Sequence, residues 1–270
     1  MVEEIRFVDA HVHLDHLFRD RPECLHGLRR SGCFPVSWAF SKGVDSTLDL
    51  VHYLDRQARV LREIARNHLP CRYLTGVHPR NIPSDLRPGE VSGLLRPHLE
   101  DSLCVGIGEI GLETASAREI DVLRAQLDLA GEVARRGMVI GVHTPRRDKE
   151  RVAERILKVL EPYRIWSHRI LVDHCTPQIL GRVLTAGYWA GVTVSPIKGS
   201  FEEVIWMVDR HPKSLDRIVL NTDSGSRYHD DLQRIVSSDE LPERVRSALV
   251  RDNALRFYGL SGLLTGTSAA

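Results

Sequence analysis

A chain of 270 residues is close to the length of one (β/α)8 barrel and longer than a simple β-sandwich needs. Hydrophobic residues make up 42% and charged residues 27%, which argues against both a disordered and a membrane-embedded protein. The formal net charge of +1 excludes a global electrostatic attraction to nucleic acid or anionic membranes, so any anion must be recognised locally.

The cysteines and the N-terminus indicate an intracellular protein. The five cysteines are scattered without a C-x-x-C pair, so neither a disulfide framework nor a zinc finger is predicted. The chain begins Met-Val-Glu-Glu, without the pattern of a signal peptide, and contains no run of ~18 apolar residues. We therefore expect a cytoplasmic protein with no membrane segment; the oligomeric state is not predicted.

Short apolar runs rich in β-branched residues alternate with longer segments of helical spacing, which predicts repeated βα units around a parallel sheet. The runs 138–142 and 170–172 are almost continuously apolar, as strands buried on both faces are. Eight strands are predicted, at Ile5–Ala10, Phe34–Phe40, Cys71–Val77, Leu103–Gly108, Met138–Val142, Ile170–Asp173, Trp189–Val194 and Ile218–Asn221. The clearest helices are predicted at Leu48–Asn67, Ala117–Arg136, Asp148–Leu160, Gln178–Ala186, Phe201–Asp209 and Glu243–Phe257.

These elements predict an α/β fold, a single-domain (β/α)8 TIM barrel that spans residues 1–260. No Pro-rich or Gly/Ser-rich linker divides the chain, and no internal repeat is visible. Residues 261–270 are small and polar, and we predict that they form a short C-terminal tail.

Side chains that bind metals recur at the C-terminal ends of the predicted strands, which is the active-site edge of a TIM barrel. The His-x-His pair places both imidazoles on one face of its strand, because side chains alternate with period two. Six candidates form a nitrogen-and-oxygen set suited to divalent transition metals: His11, His13, Glu109, His143, His174 and Asp223.

Glu109 and two histidines outside this set need separate interpretation. Glu109 lies among glycines in Gly-Ile-Gly-Glu-Ile-Gly-Leu, and small neighbours let another group approach the backbone, which favours a ligand over a helix cap. His78, in Gly-Val-His-Pro, lies at the right height in the barrel, so substrate contact, support of a ligand and plain packing stay open. His168 is expected at the opposite end of the barrel and is interpreted as structural.

Basic residues crowd the loops at the same edge. Arg146 and Arg147 precede a predicted helix, whose dipole disfavours cations there, and a bound anion would relieve that conflict. A solvated arginine pair with Asp148 as the N-cap is the alternative. The predicted substrate-binding residues are His78, Arg80, Arg146 and Arg147.

Several motifs follow one another from residue 7 to about residue 257. Together they resemble the TatD family of metal-dependent hydrolases, within the amidohydrolase superfamily. The residues that follow His143, His174 and Asp223 differ from those of typical members, so the chain is similar to a divergent, archaeal-type TatD-related branch. The motifs are Phe-Val-Asp-Ala-His-Val-His-Leu-Asp (7–15), Gly-Val-His-Pro (76–79), Gly-Ile-Gly-Glu-Ile-Gly-Leu-Glu (106–113), Thr222-Asp223 and Asn253-Ala254-Leu255-Arg256-Phe257.

The resemblance implies a two-metal phosphodiesterase or deoxyribonuclease, with two divalent ions (Zn²⁺, Mn²⁺ or Mg²⁺) and a phosphoester or nucleic-acid substrate. It also implies that one ion is held by His11, His13 and Asp223, the other by His143 and His174, and that Glu109 bridges them. We predict Asp223 and Glu109 as catalytic residues. Asp223 follows strand eight, where it can accept the proton of the attacking water.

Three alternatives stay open. A mononuclear deaminase, amidase or lactonase also draws its ligands from His-x-His, two later histidines and an Asp, but binds one ion. A phosphotriesterase-like site is disfavoured, because no Lys ends a predicted strand. A non-catalytic metal-binding barrel that acts as a partner subunit is disfavoured, because every ligand position is filled.

Overall fold

A computed structural model of the chain describes residues 4–264. Eight strands alternate with helices along the chain, as the apolar pattern predicts. The strands are β1 (Phe7–Val12), β2 (Cys33–Ser37), β3 (Arg72–Thr75), β4 (Cys104–Gly111), β5 (Val139–His143), β6 (Ile170–Val172), β7 (Trp189–Thr193) and β8 (Ile218–Asn221).

The strands form one parallel sheet in which they follow one another in chain order. The sheet closes where the chain leaves β8. There the backbone N–H of Asp223 donates to the carbonyl of His11 (2.9 Å), and that of His13 donates to the carbonyl of Ser224 (2.7 Å). The predicted (β/α)8 TIM barrel is therefore confirmed.

Helices connect successive strands. The longest, α3, begins at a capping box in which Ser46 and Asp49 bond each other's backbone N–H groups. The helices are α1 (Leu14–Asp20), α2 (Cys24–Arg30), α3 (Thr47–Asn67), α4 (Val91–Leu99), α5 (Ala117–Leu127), α6 (Ala130–Arg135), α7 (Lys149–Leu160), α8 (Pro177–Thr185), α9 (Phe201–Arg210), α10 (Asp231–Val236), α11 (Glu243–Ser247) and α12 (Asn253–Phe257). Short 3₁₀ helices lie at Pro79–Asn81, Pro88–Glu90, Glu161–Arg169, Pro212–Arg217 and Ser261–Leu264.

Some helices differ from the predicted ones. The segment predicted as one helix over Ala117–Arg136 is divided into α5 and α6 by a tight turn, in which the N–H of Leu129 bonds the carbonyl of Gln126 (3.1 Å). The last predicted helix contains a π-helical turn, Ala248–Asp252, between α11 and α12. The sequence did not predict α1, α2, α4 and α10, each of which has nine residues or fewer.

Three strands extend further at their C-terminal ends than predicted. β1 ends at Val12, β4 at Gly111 and β5 at His143, so His11, Glu109 and His143 lie inside strands, whereas we predicted them just after strand ends. These three predicted strands stop immediately before His11, Glu109 and His143. The edge of the barrel instead accepts such side chains, because they are paired with one another.

Trp38 fills the barrel interior beneath this edge. Its ring lies against Gly141, where a Cβ atom would come within 2.3 Å of the indole. The indole N–H donates to the carbonyl of Ala10 (3.0 Å), and the ring stacks on the imidazole of His11 with centroids 4.1 Å apart. Core packing thus fixes the orientation of the first predicted ligand.

The predicted boundary between barrel and tail at residue 260 stays a prediction. Ser261–Leu264 form a 3₁₀ helix, and residues 265–270 lie outside the described residues. Within residues 4–264, no helix is long and apolar enough to cross a lipid bilayer.

Candidate metal centre

All six predicted ligands meet at the C-terminal edge of the barrel, around the carboxylate of Glu109. The nearest contacts join Glu109 to His143 Nδ1 (2.6 Å), to His174 Nε2 (3.1 Å) and to His11 Nε2 (3.3 Å). Asp223 Oδ1 lies 3.1 Å from Nε2 of His13, which completes the cluster. Its members are buried, apart from the partly exposed Asp223.

The two oxygens of Glu109 face different histidines. Oε2 lies 3.3 Å from His11 Nε2 and 3.9 Å from His13 Nε2. Oε1 contacts His143 and His174. We call His11, His13 and Asp223 the β1 group, and His143 and His174 the β5–β6 group; Glu109 lies between them.

Both imidazoles of the β1 group are anchored through Nδ1. That of His11 donates to Asp173 Oδ2 (2.5 Å), and that of His13 donates to the backbone carbonyl of Trp38 (3.0 Å). Because these acceptors fix the hydrogen on Nδ1, each ring in its neutral form directs the lone pair of Nε2 towards Glu109 and Asp223. Pairing with a carboxylate or a carbonyl orients metal-binding histidines in the same way.

The β1 group fits a divalent metal ion. His11 Nε2 is buried and has no hydrogen-bond partner among the described residues. Ligand atoms of His11, His13, Glu109 and Asp223 all lie within 4.8 Å of one another. Two imidazoles and two carboxylates are a donor set that Zn²⁺ and Mn²⁺ accept.

The β5–β6 group is held differently. Both N–H groups of His143 donate to carboxylates, Nδ1 to Glu109 and Nε2 to Glu113 Oε2 (2.9 Å). His174 Nδ1 bonds Thr193 Oγ1 (2.7 Å), which directs Nε2 towards Glu109. The Glu113 side chain is 24% exposed and also pairs with Arg80 (2.9 Å), so this anchor is more open to solvent than Asp173, which is fully buried.

A lysine ammonium already lies at the cluster. Lys198 forms an ion pair with Asp223, and its Nζ lies 3.3 Å from His174 Nδ1. A positive charge is therefore accommodated between Asp223 and His174.

The electrostatics of the cluster favour positive charge. Burial alone would lower the pKa of His11, but Glu109 and Asp173 outweigh it and raise the pKa to about 10. Burial would raise the pKa of Asp223, but Lys198 and the neighbouring histidines hold it well below its usual range. Burial, together with Lys198, lowers the pKa of His174 to about 4. At neutral pH, Asp223 is ionised and His174 is neutral, the states in which these side chains bind metals, whereas His11 carries a proton that a metal ion would displace.

Sequence reasoning missed Asp173, the fully buried partner of His11. Adjacent residues of a regular strand point to opposite faces, so a regular strand would not bring both Asp173 and His174 to the cluster. The backbone turns at His174, whose φ is 56°, so both side chains reach the cluster. An acidic residue after the apolar run Ile-Leu-Val was the available signal. Glu113 was missed as well.

The glycines beside Glu109 have a different role from the predicted one. At Gly111 φ is 147°, and a Cβ atom would come within 2.4 Å of the carbonyl oxygen of His143. Glycine is therefore required for the close approach of β4 to β5. The predicted close approach to the backbone is therefore present, but the group that approaches at this position is β5 and not a ligand.

His78 lies beside Glu109, with Nε2 3.6 Å from Oε1. Its Nδ1 accepts a hydrogen bond from the backbone N–H of Arg80 (3.1 Å). Burial lowers the pKa of His78 to about 4, although Glu109 opposes the shift, so the ring is neutral and carries its hydrogen on Nε2. This tautomer makes Nε2 a donor directed at the cluster.

A cavity of about 260 Å³ opens from the cluster, and three of the four predicted substrate-binding residues line it. These are His78, Arg80 and Arg146. Arg147 is exposed and does not belong to the lining.

The predicted N-cap at Asp148 is only partly correct. Asp148 precedes α7, but it adopts a left-handed conformation and makes no capping bond. Its carboxylate contacts Arg151 (3.3 Å) instead. Arg146 donates to the carbonyl of Ile197, so it is anchored across the cavity mouth.

His168 lies at the far end of the barrel, as predicted. It is exposed, and its carbonyl accepts a hydrogen bond from the indole of Trp189, the first residue of β7 (3.1 Å). It has no part in the cluster.

Comparison with known proteins identifies the family. A family model described as TatD related DNase matches residues 8–246. An uncharacterized metal-dependent hydrolase of Methanocaldococcus jannaschii is 29% identical over 230 residues, which cover 83% of this chain and 86% of that protein. A TatD-like protein of Archaeoglobus fulgidus aligns with a TM-score of 0.71 and 26% identity, over 94% of this chain and all (100%) of that one.

A TatD homolog of Escherichia coli K12 shares the fold, with a TM-score of 0.63 and 20% identity over 99% of this chain and 100% of that one. The match of the family model covers most of the barrel, from β1 into α11. The resemblance seen in the sequence is confirmed: the chain belongs to the TatD family and is a metal-dependent hydrolase.

Proposed function

We propose that the protein hydrolyses phosphoester bonds with two divalent metal ions. The observation that carries the proposal is the position of Glu109, one buried carboxylate whose two oxygens face two separate groups of histidines. A single ion would need only one of these groups. Two adjacent ions are the arrangement that many phosphoester hydrolases use.

In this proposal, His11, His13 and Asp223 would hold one ion, His143 and His174 would hold the other, and Glu109 would serve both. Zn²⁺ and Mn²⁺ suit the donor set, and Mg²⁺ is a further candidate. When bound, the ions supply Lewis acidity, which polarises the phosphoryl oxygens and makes a water molecule more acidic.

Asp223 is the proposed general base. Its carboxylate is ionised, lines the cavity and is 14% exposed, so an attacking water can reach it. The pKa of Asp223 lies well below its usual range because Lys198 outweighs burial, so the carboxylate would hold a proton only briefly. Lys198 would favour release of that proton from Asp223.

Three further side chains are proposed to bind the substrate. The Nε2–H of His78 can donate to an oxygen of the ester, and Arg80 and Arg146 add positive charge around the cavity. This local concentration of donors and cations, in a chain with a net charge of only +1, supports an anionic substrate. Arg147 does not line the cavity, so only the electrostatic field of its charge would contribute to substrate binding.

A single-stranded or duplex DNA end is the first substrate to test, because the matching family model is described as a DNase. The second candidate function is hydrolysis of an amide, amidine or lactone by one ion. The compact set formed by His11, His13, Glu109 and Asp223 favours it, because those four residues could hold one ion without the β5–β6 group.

Metal analysis and a substrate panel separate the two candidates. The panel contains single-stranded DNA, RNA, simple phosphodiesters and lactones, each with Mg²⁺, Mn²⁺ or Zn²⁺. We expect two ions per chain and hydrolysis of a phosphoester that is lost in Asp223→Ala. One ion per chain with hydrolysis of lactones, and none of phosphoesters, would refute the proposal.

A further inference from the structure

A second cavity of about 180 Å³ adjoins the one above the cluster. It lies beyond His174, between the ends of β6 and β7 and helix α9. The two cavities share four lining residues, so they lie side by side at the edge of the barrel. The shared residues are Arg146, His174, Ile197 and Lys198.

The inner part of the second cavity is apolar. Cys175, Val192 and Met207 line it and are buried. Burial raises the pKa of the Cys175 thiol, which also donates to the carbonyl of Val172 (3.2 Å), so this sulfur stays neutral and is not a nucleophile. The floor is therefore suited to an uncharged organic group.

The charged side chains of the second cavity lie at its rim or have partners. Lys149 donates to Thr144 Oγ1 (2.9 Å) and to the carbonyl of His174 (2.7 Å). Glu203, the only acidic residue of the lining, accepts from the backbone N–H of Ser200 at the start of α9 (3.1 Å). The rim shared with the first cavity carries Arg146 and Lys198, so the cations lie on the side of the cluster.

Ile197 stands where the two cavities join. Its side chain is 64% exposed, and only three other large apolar residues of the described chain are exposed: Leu48, Ile165 and Trp206. None of those three lines either cavity. Because Arg146 donates to the carbonyl of Ile197, the backbone of this apolar residue is held at the mouth of a charged site.

We infer that the second cavity is a leaving-group subsite, which takes an apolar, ring-sized organic group of a phosphoester. The inference rests on the proposed function. An apolar protein cavity of about 150 Å³ binds benzene, so a cavity of about 180 Å³ has room for one aromatic ring. Arg146 and Lys198 would then lie beside the phosphoryl group.

The geometry assigns the product that leaves through this cavity. Hydrolysis forms a bond from the water oxygen to phosphorus and breaks the bond from phosphorus to the leaving-group oxygen. The leaving group takes up the proton that the water released and departs as a phenol or an alcohol. The cavity would hold that neutral product, while the phosphate stays with the cations.

Two stable phosphonates test the subsite without any turnover. Phenylphosphonate and methylphosphonate differ only in the group that would enter the second cavity, and their dissociation constants are measured by calorimetry on metal-loaded protein. We expect the wild type to prefer phenylphosphonate, and Ile197→Ala to lose about five- to tenfold of that preference. Ile165→Ala is the matched control, because Ile165 is 73% exposed and lies on the 3₁₀ helix that precedes β6.

The outcomes separate the subsite from the function on which it rests. If both phosphonates bind and their ratio is the same in wild type and Ile197→Ala, the subsite is refuted while the phosphoester proposal stands. If neither phosphonate binds to the metal-loaded wild type, the phosphoester proposal fails and the subsite fails with it. A ratio that falls in Ile197→Ala but not in Ile165→Ala supports the subsite.

Discussion

The two histidine groups on either side of Glu109 differ in what anchors them. In the β1 group, each Nδ1 bonds an acceptor that lies outside the six-residue cluster, and each Nε2 faces inwards. In the β5–β6 group, His143 donates both of its N–H groups to carboxylates, one of them Glu109 itself.

This difference indicates which group is prepared for a cation. A metal could bind Nε2 of His11 and His13 without breaking the bonds that orient the rings. At His143 it would have to replace the hydrogen bond to Glu109 or the one to Glu113. We therefore expect tighter metal binding at the β1 group than at the β5–β6 group.

Replacing the residue between the groups should have the largest effect. Glu109→Gln keeps the size of the side chain but leaves one oxygen and no charge, so the two groups can no longer share it. We expect kcat/KM to fall by about a thousandfold or more and the metal content to fall below two ions per chain. Steady-state kinetics and metal analysis after dialysis measure both quantities.

Asp101→Asn provides the matched control for Glu109→Gln. Asp101 precedes β4, at the opposite end of that strand, and its carboxylate bonds Arg62 (2.8 Å). Its replacement should leave activity and metal content unchanged. Full metal content and activity in Glu109→Gln would show that the carboxylate does not join two sites.

The anchor of the β1 group should have the next largest effect. In Asp173→Asn, the amide can still accept from Asn221, but it no longer offers a carboxylate to Nδ1 of His11. Loss of such a partner weakens metal binding by about 10- to 100-fold. Titration calorimetry should show this loss for the tighter of the two ions only.

Asp9→Asn is the control for that measurement, since Asp9 is equally buried but bonds Thr222 (Oγ1 at 2.6 Å) and no histidine. Circular dichroism verifies that both variants are folded. An unchanged metal affinity in Asp173→Asn would contradict the view that the β1 group is held ready by this carboxylate.

The buried His16, which lies beside His13 of the β1 group, should make the free energy of unfolding depend on pH. His16 is buried, its ring centroid is 5.7 Å from that of His13, and burial together with His13 and Lys42 lowers the pKa of His16 to about 3. The unfolded chain takes up a proton near pH 6.5, whereas the folded protein does not. The contribution of the neutral His16 to the free energy of unfolding is therefore complete above pH 6.5, and it is lost as the pH falls towards 3.

At pH 5 this loss amounts to ~2 kcal/mol of unfolding free energy. Urea unfolding measures the free energy of unfolding at pH 7 and at pH 5. Between these pH values it should fall by about 2 kcal/mol less in His16→Gln than in the wild type. The exposed His52 supplies the control, because His52→Gln should lose stability like the wild type. If the free energy of unfolding falls equally in the wild type and in His16→Gln, then burial does not lower the pKa of His16.

The fold was predictable because its signals are local. Each strand is an apolar run long enough to recognise, and buried runs such as 170–172 leave few alternatives to a doubly covered sheet. The boundaries were less predictable, since β1 and β4 continue through ionisable residues whose partners come from distant parts of the chain. Such partners are not visible in a local pattern.

The members of the candidate site were predictable, but the partners that orient them were not. Residue type and position at the strand ends brought together the six members of the cluster. Asp173 and Glu113 were missed because their role depends on backbone turns and on the position of a partner ring, as at His174, where φ is positive. Likewise, the tautomer of His78 follows from one backbone N–H of Arg80, which no sequence motif encodes.

The smallest expected effect concerns Glu113, the residue that anchors His143 of the β5–β6 group. Glu113 bonds His143 as Asp173 bonds His11, but its side chain is 24% exposed and shares Arg80. Solvent and that arginine screen its charge, so Glu113→Gln should weaken binding of the second ion by about threefold or less. The same calorimetric titration measures it, with the exposed Glu100→Gln as the control. If Glu113→Gln weakens metal binding as much as Asp173→Asn does, then the two groups are equally dependent on their anchors, and burial of the anchor does not distinguish them.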